Sequence, residues 1–585
     1  MKKKIKYILY DHQDLKVLIN SNEEIEEIIA LNASIYYESK KFFSKDIIKK
    51  NYITDESKKK IIEESDEIEN HFNKEIDKIL EIEDSSKFNI CFTFYLLNKI
   101  IFSYWYSFPD NSNIGIIYKN KIIVTADKEK AIYYFFLNLY DKDLIVLDFL
   151  IKKLYPVFLF KLINTLTILL LKNKKIIWST SPSKIINDIK KIDKNVVIIC
   201  YLEAKKKNGI LNFLFGIKQV FQIIFNKNLS LVYLFPIINN NIFHKNKFNF
   251  LKKINNKKLK YLNDLLINIF SEVLNNSEIL SKYSANLIKN TKAKTFFGNH
   301  MRPICGTVLS DLFKKNNLNS VLISHGSHII QNEYFSKYEA ENMSLGLLFS
   351  PFATCLACQS PLAFEYTKFK NLNSNIAKIL PMMWSGKKRF NKKKYLDKFV
   401  ILHASTIKLL HLRPWAYEDS FEFLENLIKL IKVVDKIENT LLIIRLRNST
   451  LFWNELSLDA VLSSLPQSDN VIIKTSGSCS FEEDIINSDF MISYSSTTIE
   501  EAIHCGIAVG LLGLSNRYRH IPHPKSDNKS RKIVYHLNHD ELLRDLLKIK
   551  SNHYNSKLTE QELTDYVWND EFLSKKKFII DNLLN

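Results

Sequence analysis

The stretch DFMISYSSTTIEEAIHCGIAVGLLG, residues 489–513, decides how the chain folds. Phe490 to Ser493 read as a short apolar strand, and Ile499, Ala502 and Ile503 recur at helical spacing. Gly506 stands where a helix would end, and a second strand begins at Ile507. Between strand and helix lie five hydroxyl side chains, Tyr494 to Thr498, followed at once by Glu500 and Glu501. That places Ser495, Ser496, Thr497 and Thr498 at a helix N-terminus, where unpaired backbone N–H groups and the positive end of the helix dipole favour an anion. Thr497 with Glu500 and Thr498 with Glu501 also have capping-box spacing. A cap uses one hydroxyl, and four in a row point to phosphate, with Glu500 or Glu501 turned to the ribose hydroxyls of the same nucleotide.

Outward from this turn, DKFVILHAST, TLLIIRLRNST, NVIIKTS and IAVGLLG are further apolar runs separated by helical tracts, the pattern of a parallel sheet covered on both faces. Arg445 and Arg447 share one face at the end of their strand, where two guanidiniums suit a phosphate or a sugar carboxylate. Thr406, with Ser405 and Lys408, occupies another loop at the same edge. A similar series precedes it, in NIGIIY, KIIVTA, KKIIWST, NVVIICYLE, LSLVYLFPI, AKTFFGN and NSVLISHG. In that half His300 follows one strand and His325 and His328 the next, so their loops open on one edge. Imidazole titrates near neutral pH and suits proton transfer from an acceptor hydroxyl or hydrogen bonding to a leaving group. Glu333 and Asp11 are further candidates for the base.

Resemblance adds to this reading. INSDFMISYSSTTIEEAIHCGIAVGLLG is similar to the C-domain nucleotide-binding segment of GT-B glycosyltransferases of bacterial capsule and lipopolysaccharide assembly, and SVLISHGSHI, CLACQSPLAFEYTKF and ILPMMW resemble the end of their N-domain. The similarity spans residues 290–515, about two fifths of the chain. It implies an α/β fold with two Rossmann-like doubly wound domains facing across a cleft. It also implies transfer from a nucleotide-sugar donor to a glycan or glycolipid acceptor, with a CMP-activated acidic sugar among the donors. Related enzymes carry a basic residue and then His-Pro where this chain reads Arg445, Arg447 and Asn448, which weakens the implication of a CMP-sugar. A CDP-glycerol-type polyol-phosphate transferase is the nearest alternative.

The expected organisation is an N-terminal acceptor-side domain over 1–385 with helical insertions, a nucleotide-sugar domain over 386–545 and C-terminal helices over 546–585. An additional helical region is expected near the N-terminus, from the charged tract ESKKKIIEESDEIENHFNKEIDKILEIED. Seven scattered cysteines fit a reducing compartment, and MKKKIKYILYDHQ has too short an apolar run for a signal peptide, so a cytoplasmic protein is expected. Cys355 and Cys358 lack the partners of a zinc site and read as buried thiols. No P-loop or HExxH signature occurs, and neither metal nor cofactor is expected, because dipole and arginines can neutralise a leaving phosphate. The formal net charge of +20 favours anionic partners. Its lysines are spread evenly and most aromatics sit among aliphatics, so a non-catalytic nucleic-acid-binding protein is the weaker alternative. The apolar stretches at 155–172 and 212–225 are each broken by a lysine and are read as buried helices or as helices lying on an anionic membrane surface.

Overall fold

The computed structural model describes residues 4–584 apart from 52, 80–82, 142–156, 181–184, 202–208, 226–228, 237–244, 254–255, 327–329, 371–373, 383, 385–391, 393, 405–412, 447–461, 476–479, 514–516, 519, 522–530 and 569–572. Three sheets organise these residues.

The C-terminal lobe is built on β13 (Phe399–Ala404), β14 (Thr440–Leu446), β15 (Val471–Thr475), β16 (Phe490–Ser493), β17 (Ala508–Leu512) and β18 (Val534–Leu537), in the order β15-β14-β13-β16-β17-β18. All its pairings are parallel. Buried on both faces, β13, β16 and β17 are apolar nearly throughout, as a covered parallel sheet requires. Counted from β13 the order is 3-2-1-4-5-6, that of a doubly wound nucleotide-binding sheet.

The first lobe repeats this plan with one strand more. Its sheet contains β6 (Lys175–Ser179), β7 (Val196–Tyr201), β8 (Leu231–Leu234), β9 (Thr295–Gly298), β10 (Asn319–Ile323), β11 (Cys355–Cys358) and β12 (Asn375–Lys378), in the order β12-β11-β10-β9-β6-β7-β8. Every pairing is again parallel. The chain ends on this lobe. Ile579 and Leu583 of the last helical turns pack with Ile177, Phe297, Val321 and Ile323, and Trp568 Nε1 donates to the carbonyl of Cys358 at 3.1 Å.

The N-terminal region is more than the expected helices. Helices Asp55–Ile79 and Asp84–Ser107 are present and pack on each other, but β1 (Ile5–Leu9), β2 (Ile25–Ala30), β3 (Ile48–Lys50), β4 (Ile114–Tyr118) and β5 (Lys121–Thr125) form a separate five-stranded sheet. Its last two strands, NIGIIY and KIIVT, are therefore not part of the first lobe's parallel sheet. They pair antiparallel because only Lys119 and Asn120 separate them, both at left-handed φ (49° and 59°), the two-residue turn that closes a hairpin. This unit touches the C-terminal lobe: Ala33 N donates to Ser420 Oγ at 2.9 Å, and Lys50 Nζ reaches Glu425 at 2.8 Å.

Candidate functional site

In a doubly wound sheet a crevice opens at the carboxyl ends of the two strands where the order reverses. Here those points are β6/β9 in one lobe and β13/β16 in the other, and the residues leaving them are Thr180, Asn299 and His300, and Ala404 and Ser493 to Thr498. The two edges meet. A Cβ placed on Gly326, just after β10, would lie 3.0 Å from Thr497 Cγ2 and 3.1 Å from Glu500 Oε1, so the His325-Gly326 loop sits directly against the hydroxyl turn of the other lobe.

Within that turn the hydroxyls have separate tasks. Ser493 Oγ and Thr498 Oγ1 both donate to the carbonyl of Ala404, at 3.1 and 3.2 Å, tying β16 and its helix to the end of β13. Ser496 Oγ accepts from Thr498 N at 3.4 Å. Thr497 occupies the N-cap position of the helix Thr498–His504 and makes no side-chain capping bond there. The Thr497–Glu500 spacing does not become a capping box: Thr497 has helical dihedrals (φ −64°, ψ −12°) where a capping residue is extended, and Glu500 is turned elsewhere. Gly506 ends the helix at φ 78°, as its position suggested. Ser496, Thr497 and Thr498 remain half-buried, while Ser495, Glu500 and Glu501 are buried.

Glu500 is held by a residue that no local motif marks. His520 Nε2 lies 3.0 Å from Glu500 Oε1, and its Nδ1 lies 3.4 Å from Ser495 Oγ, so one imidazole bridges the start of the turn and the first carboxylate of the helix. All three side chains are at most 6% exposed. The segment carrying His520 is itself anchored. Arg517 Nη1 reaches Asp55 of the N-terminal unit at 2.8 Å, its Nη2 reaches both oxygens of Glu422 at 3.0 Å, and its carbonyl lies 2.7 Å from Ser336 Oγ of the first lobe. Lys58 adds a 3.4 Å contact to Glu422. Nothing in the local sequence at 517–520 advertises this, since each partner is distant in sequence.

On the first lobe, Asn299 Nδ2 and His325 Nδ1 are 3.1 Å apart, and Trp384 Nε1 donates to the His325 carbonyl at 3.3 Å. With the amide assigned this way, Nδ1 accepts and the ring proton resides on Nε2. His300 follows β9, and its carbonyl accepts from Thr180 Oγ1 at 3.1 Å across the β6/β9 switch. Burial, reinforced by the Arg302 guanidinium and His325, holds the His300 imidazole well below its ordinary range, so it is neutral at pH 7.

Other candidates fall elsewhere. Arg445 forms an ion pair with Asp484, a carboxylate it shares with Lys474 at the carboxyl ends of β14 and β15. Glu333 caps the helix Tyr334–Ser344, accepting from Ser336 N at 2.9 Å, and Asp11 caps His12–Ile19. Thr406, Arg447 and His328 lie outside the described residues. Cys355 and Cys358 are buried thiols, pushed by desolvation to about 11 and about 12. Among the described residues no group of three His, Cys, Asp or Glu side chains is arranged to hold a metal ion.

No family profile and no curated protein matches the chain. Solved structures do. A UDP-GlcNAc 2-epimerase from Neisseria meningitidis bound to UDP-GlcNAc aligns at 10% identity and TM-score 0.38, covering 69% of this chain and 97% of that one. A UDP-N-acetylglucosamine 2-epimerase from Rickettsia bellii aligns at 12% and 0.40, covering 67% and 92%. A glycosyltransferase from Rickettsia africae aligns at 14% and 0.34, covering 67% and 93%. The fold itself is carried by the two strand orders and the contact at Gly326. The chain comprises two Rossmann-like doubly wound domains that face each other across a cleft, the GT-B arrangement, with a third α/β unit at its N-terminus.

Proposed function

We propose that the protein is a metal-independent glycosyltransferase that moves a sugar from a nucleotide-sugar to a surface glycan or lipid-linked acceptor. The observation that carries this reading is the meeting of the two lobes' carboxyl edges at Gly326, Thr497 and Glu500. One edge offers the half-buried Thr497 hydroxyl, which makes no capping bond, beside those of Ser496 and Thr498, and the other offers two histidines.

In this reading the nucleotide diphosphate rests on Ser495 to Thr498, and Glu500 and Glu501 serve its ribose. Arg445 and Lys474 lie at the same sheet edge. The acceptor oxygen attacks the anomeric carbon, its proton passes to a base, and the sugar–phosphate bond breaks with the electron pair on the departing phosphate. His325, with its proton on Nε2, acts as a donor to that phosphate. His300 is the candidate base; burial keeps its imidazole neutral at pH 7, and the same burial makes it a weak one; Glu333, committed to its helix, orients the loop.

Purified protein incubated with UDP-, GDP-, CDP- and CMP-activated sugars and with CDP-glycerol tests the assignment. Release of UDP, GDP or CDP from a sugar nucleotide, or of CMP from a CMP-sugar, supports sugar transfer. Release of CMP from CDP-glycerol alone assigns the protein to polyol-phosphate transfer instead.

A further inference from the structure

Two helices on the first lobe, Val157–Leu170 and Gly209–Phe225, carry a feature that the cleft does not use. Among the described residues, nineteen large hydrophobic side chains are exposed, and nine of them lie on this pair: Leu162, Leu166, Leu169, Leu170, Leu214, Phe215, Phe221, Ile224 and Phe225. Scattered singly, exposed apolar residues mean little; gathered on two packed helices they mark a surface meant to be covered.

The pair is fixed in place through its inner side. Phe160 and Ile163 pack with Phe213, Ile217, Val220 and Phe235. At Gly216 a Cβ would come within 2.8 Å of the Phe235 ring and 3.0 Å of Ile163 Cδ1, so the helices approach as closely as backbone permits. The two buried amides clamp the open edge of β8: Asn164 bonds Phe235 N and O at 3.0 and 2.8 Å, and Gln219 bonds Tyr233 N and O, both at 2.7 Å. The inner face is thus satisfied, and the outward residues belong to a second, independent surface.

Charge identifies what covers it. Residues 157–175 and 209–225 contain five lysines and not one Asp or Glu, in a chain with 63 acidic residues overall. Lys161, Lys172, Lys175 and Lys218 are exposed beside the apolar residues. A two-fold contact with a second copy would bring these lysines against each other, whereas an anionic bilayer satisfies both the apolar face and its charged border. Among the described residues no helix is long and apolar enough to cross a membrane, so the pair lies in the plane of the interface.

We propose that the helices Val157–Leu170 and Gly209–Phe225 form the surface by which the protein docks on an anionic phospholipid bilayer, with Leu162, Leu166, Leu169, Leu214, Phe221 and Phe225 entering the acyl boundary. The proposal is independent of the nucleotide reading, because it concerns another face of the molecule.

Co-sedimentation of the full chain with vesicles of phosphatidylcholine plus phosphatidylglycerol, and of phosphatidylcholine alone, tests it. The wild type partitions to the anionic vesicles and to the neutral ones far less; Leu166→Asp with Phe225→Asp lowers that partition by roughly tenfold or more, with the melting temperature retained. Should the aspartates impair folding, Phe225→Trp reads the same contact directly, through a blue shift of the added emission on anionic vesicles. Wild type left in the supernatant with both vesicles overturns the proposal. So does a partition unchanged in the double variant, or a dimer in light scattering that the same substitutions convert to monomer.

Discussion

His520 Nε2 stands 3.0 Å from Glu500 Oε1, and the same carboxylate oxygen is the atom a side chain at Gly326 would meet from the opposite lobe. The Glu500 carboxylate is therefore positioned from behind by His520 while it faces the other domain. A carboxylate beside a phosphate site must be oriented, since one left free to turn would repel the ligand it is meant to help hold.

Replacing His520 with Ala removes that orientation and the contact to Ser495. A hydrogen bond to a charged group is worth about 1.5–3 kcal/mol, so nucleotide affinity falls by roughly tenfold or more. Calorimetric titration checks this, and an unchanged Kd in a folded variant assigns His520 to structure alone.

Ser496→Ala with Thr497→Ala separates binding from folding. Thr497 makes no capping bond, so the melting temperature moves little while nucleotide affinity drops. Thr498→Val behaves differently, because Thr498 Oγ1 donates to the Ala404 carbonyl at 3.2 Å and joins β16 to β13. Its loss costs about 1 kcal/mol of stability, read as a lower urea midpoint.

Gly326→Ala puts a methyl group 3.0 Å from Thr497 Cγ2 and 3.1 Å from Glu500 Oε1. Closer than ordinary van der Waals contact, it forces the edges apart by a few tenths of an ångström. The expected result is a loss in kcat/KM of roughly tenfold or more, since small misplacements at a reacting centre are costly, with stability nearly unchanged. Full activity would show that the edges need not touch during turnover.

Stability responds to pH through buried carboxylates. Burial pushes Glu339, whose carboxylate accepts from Ala416 N across the lobe junction, up to about 7, and pushes Asp419 up to about 7 as well. In the folded state these groups hold protons that the unfolded chain releases near pH 4–4.5. Unfolding therefore releases protons between about pH 4.5 and 7, and stability falls as pH rises through that window. Glu339→Gln flattens its share, on the order of 3 kcal/mol at most, in melting temperatures measured from pH 5 to 8.

Much of the architecture was legible in local pattern. The runs at β13 to β17 and β6 to β10 are apolar because both faces of each sheet are covered. The first sheet was harder to see. In IEEIIA and IKK, short strands with charged outward residues do not stand out, and a hairpin of two similar runs reads like two crossover strands until the length of its turn is weighed. Site residues divide in the same way. The hydroxyl turn and His325 follow strands and could be placed at one sheet edge by counting. His520 could not, because its role depends on Arg517 meeting Asp55 and Glu422, contacts made between units far apart in the chain. The pairing of Arg445 with Asp484 was hidden for the same reason, and Thr497–Glu500 shows that a capping-box spacing is not a capping box once the carboxylate has a better partner.

Thermal denaturation of the folded protein with CMP, CDP, UDP and GDP is the most direct measurement of the central claim. A ligand that binds only the native state raises the melting temperature in proportion to the logarithm of its concentration. At least one of these nucleotides is expected to do so in the wild type and to lose the effect in the Ser496→Ala, Thr497→Ala variant. No shift with any of the four, at concentrations well into the millimolar range, would contradict nucleotide binding at the turn between β16 and its helix.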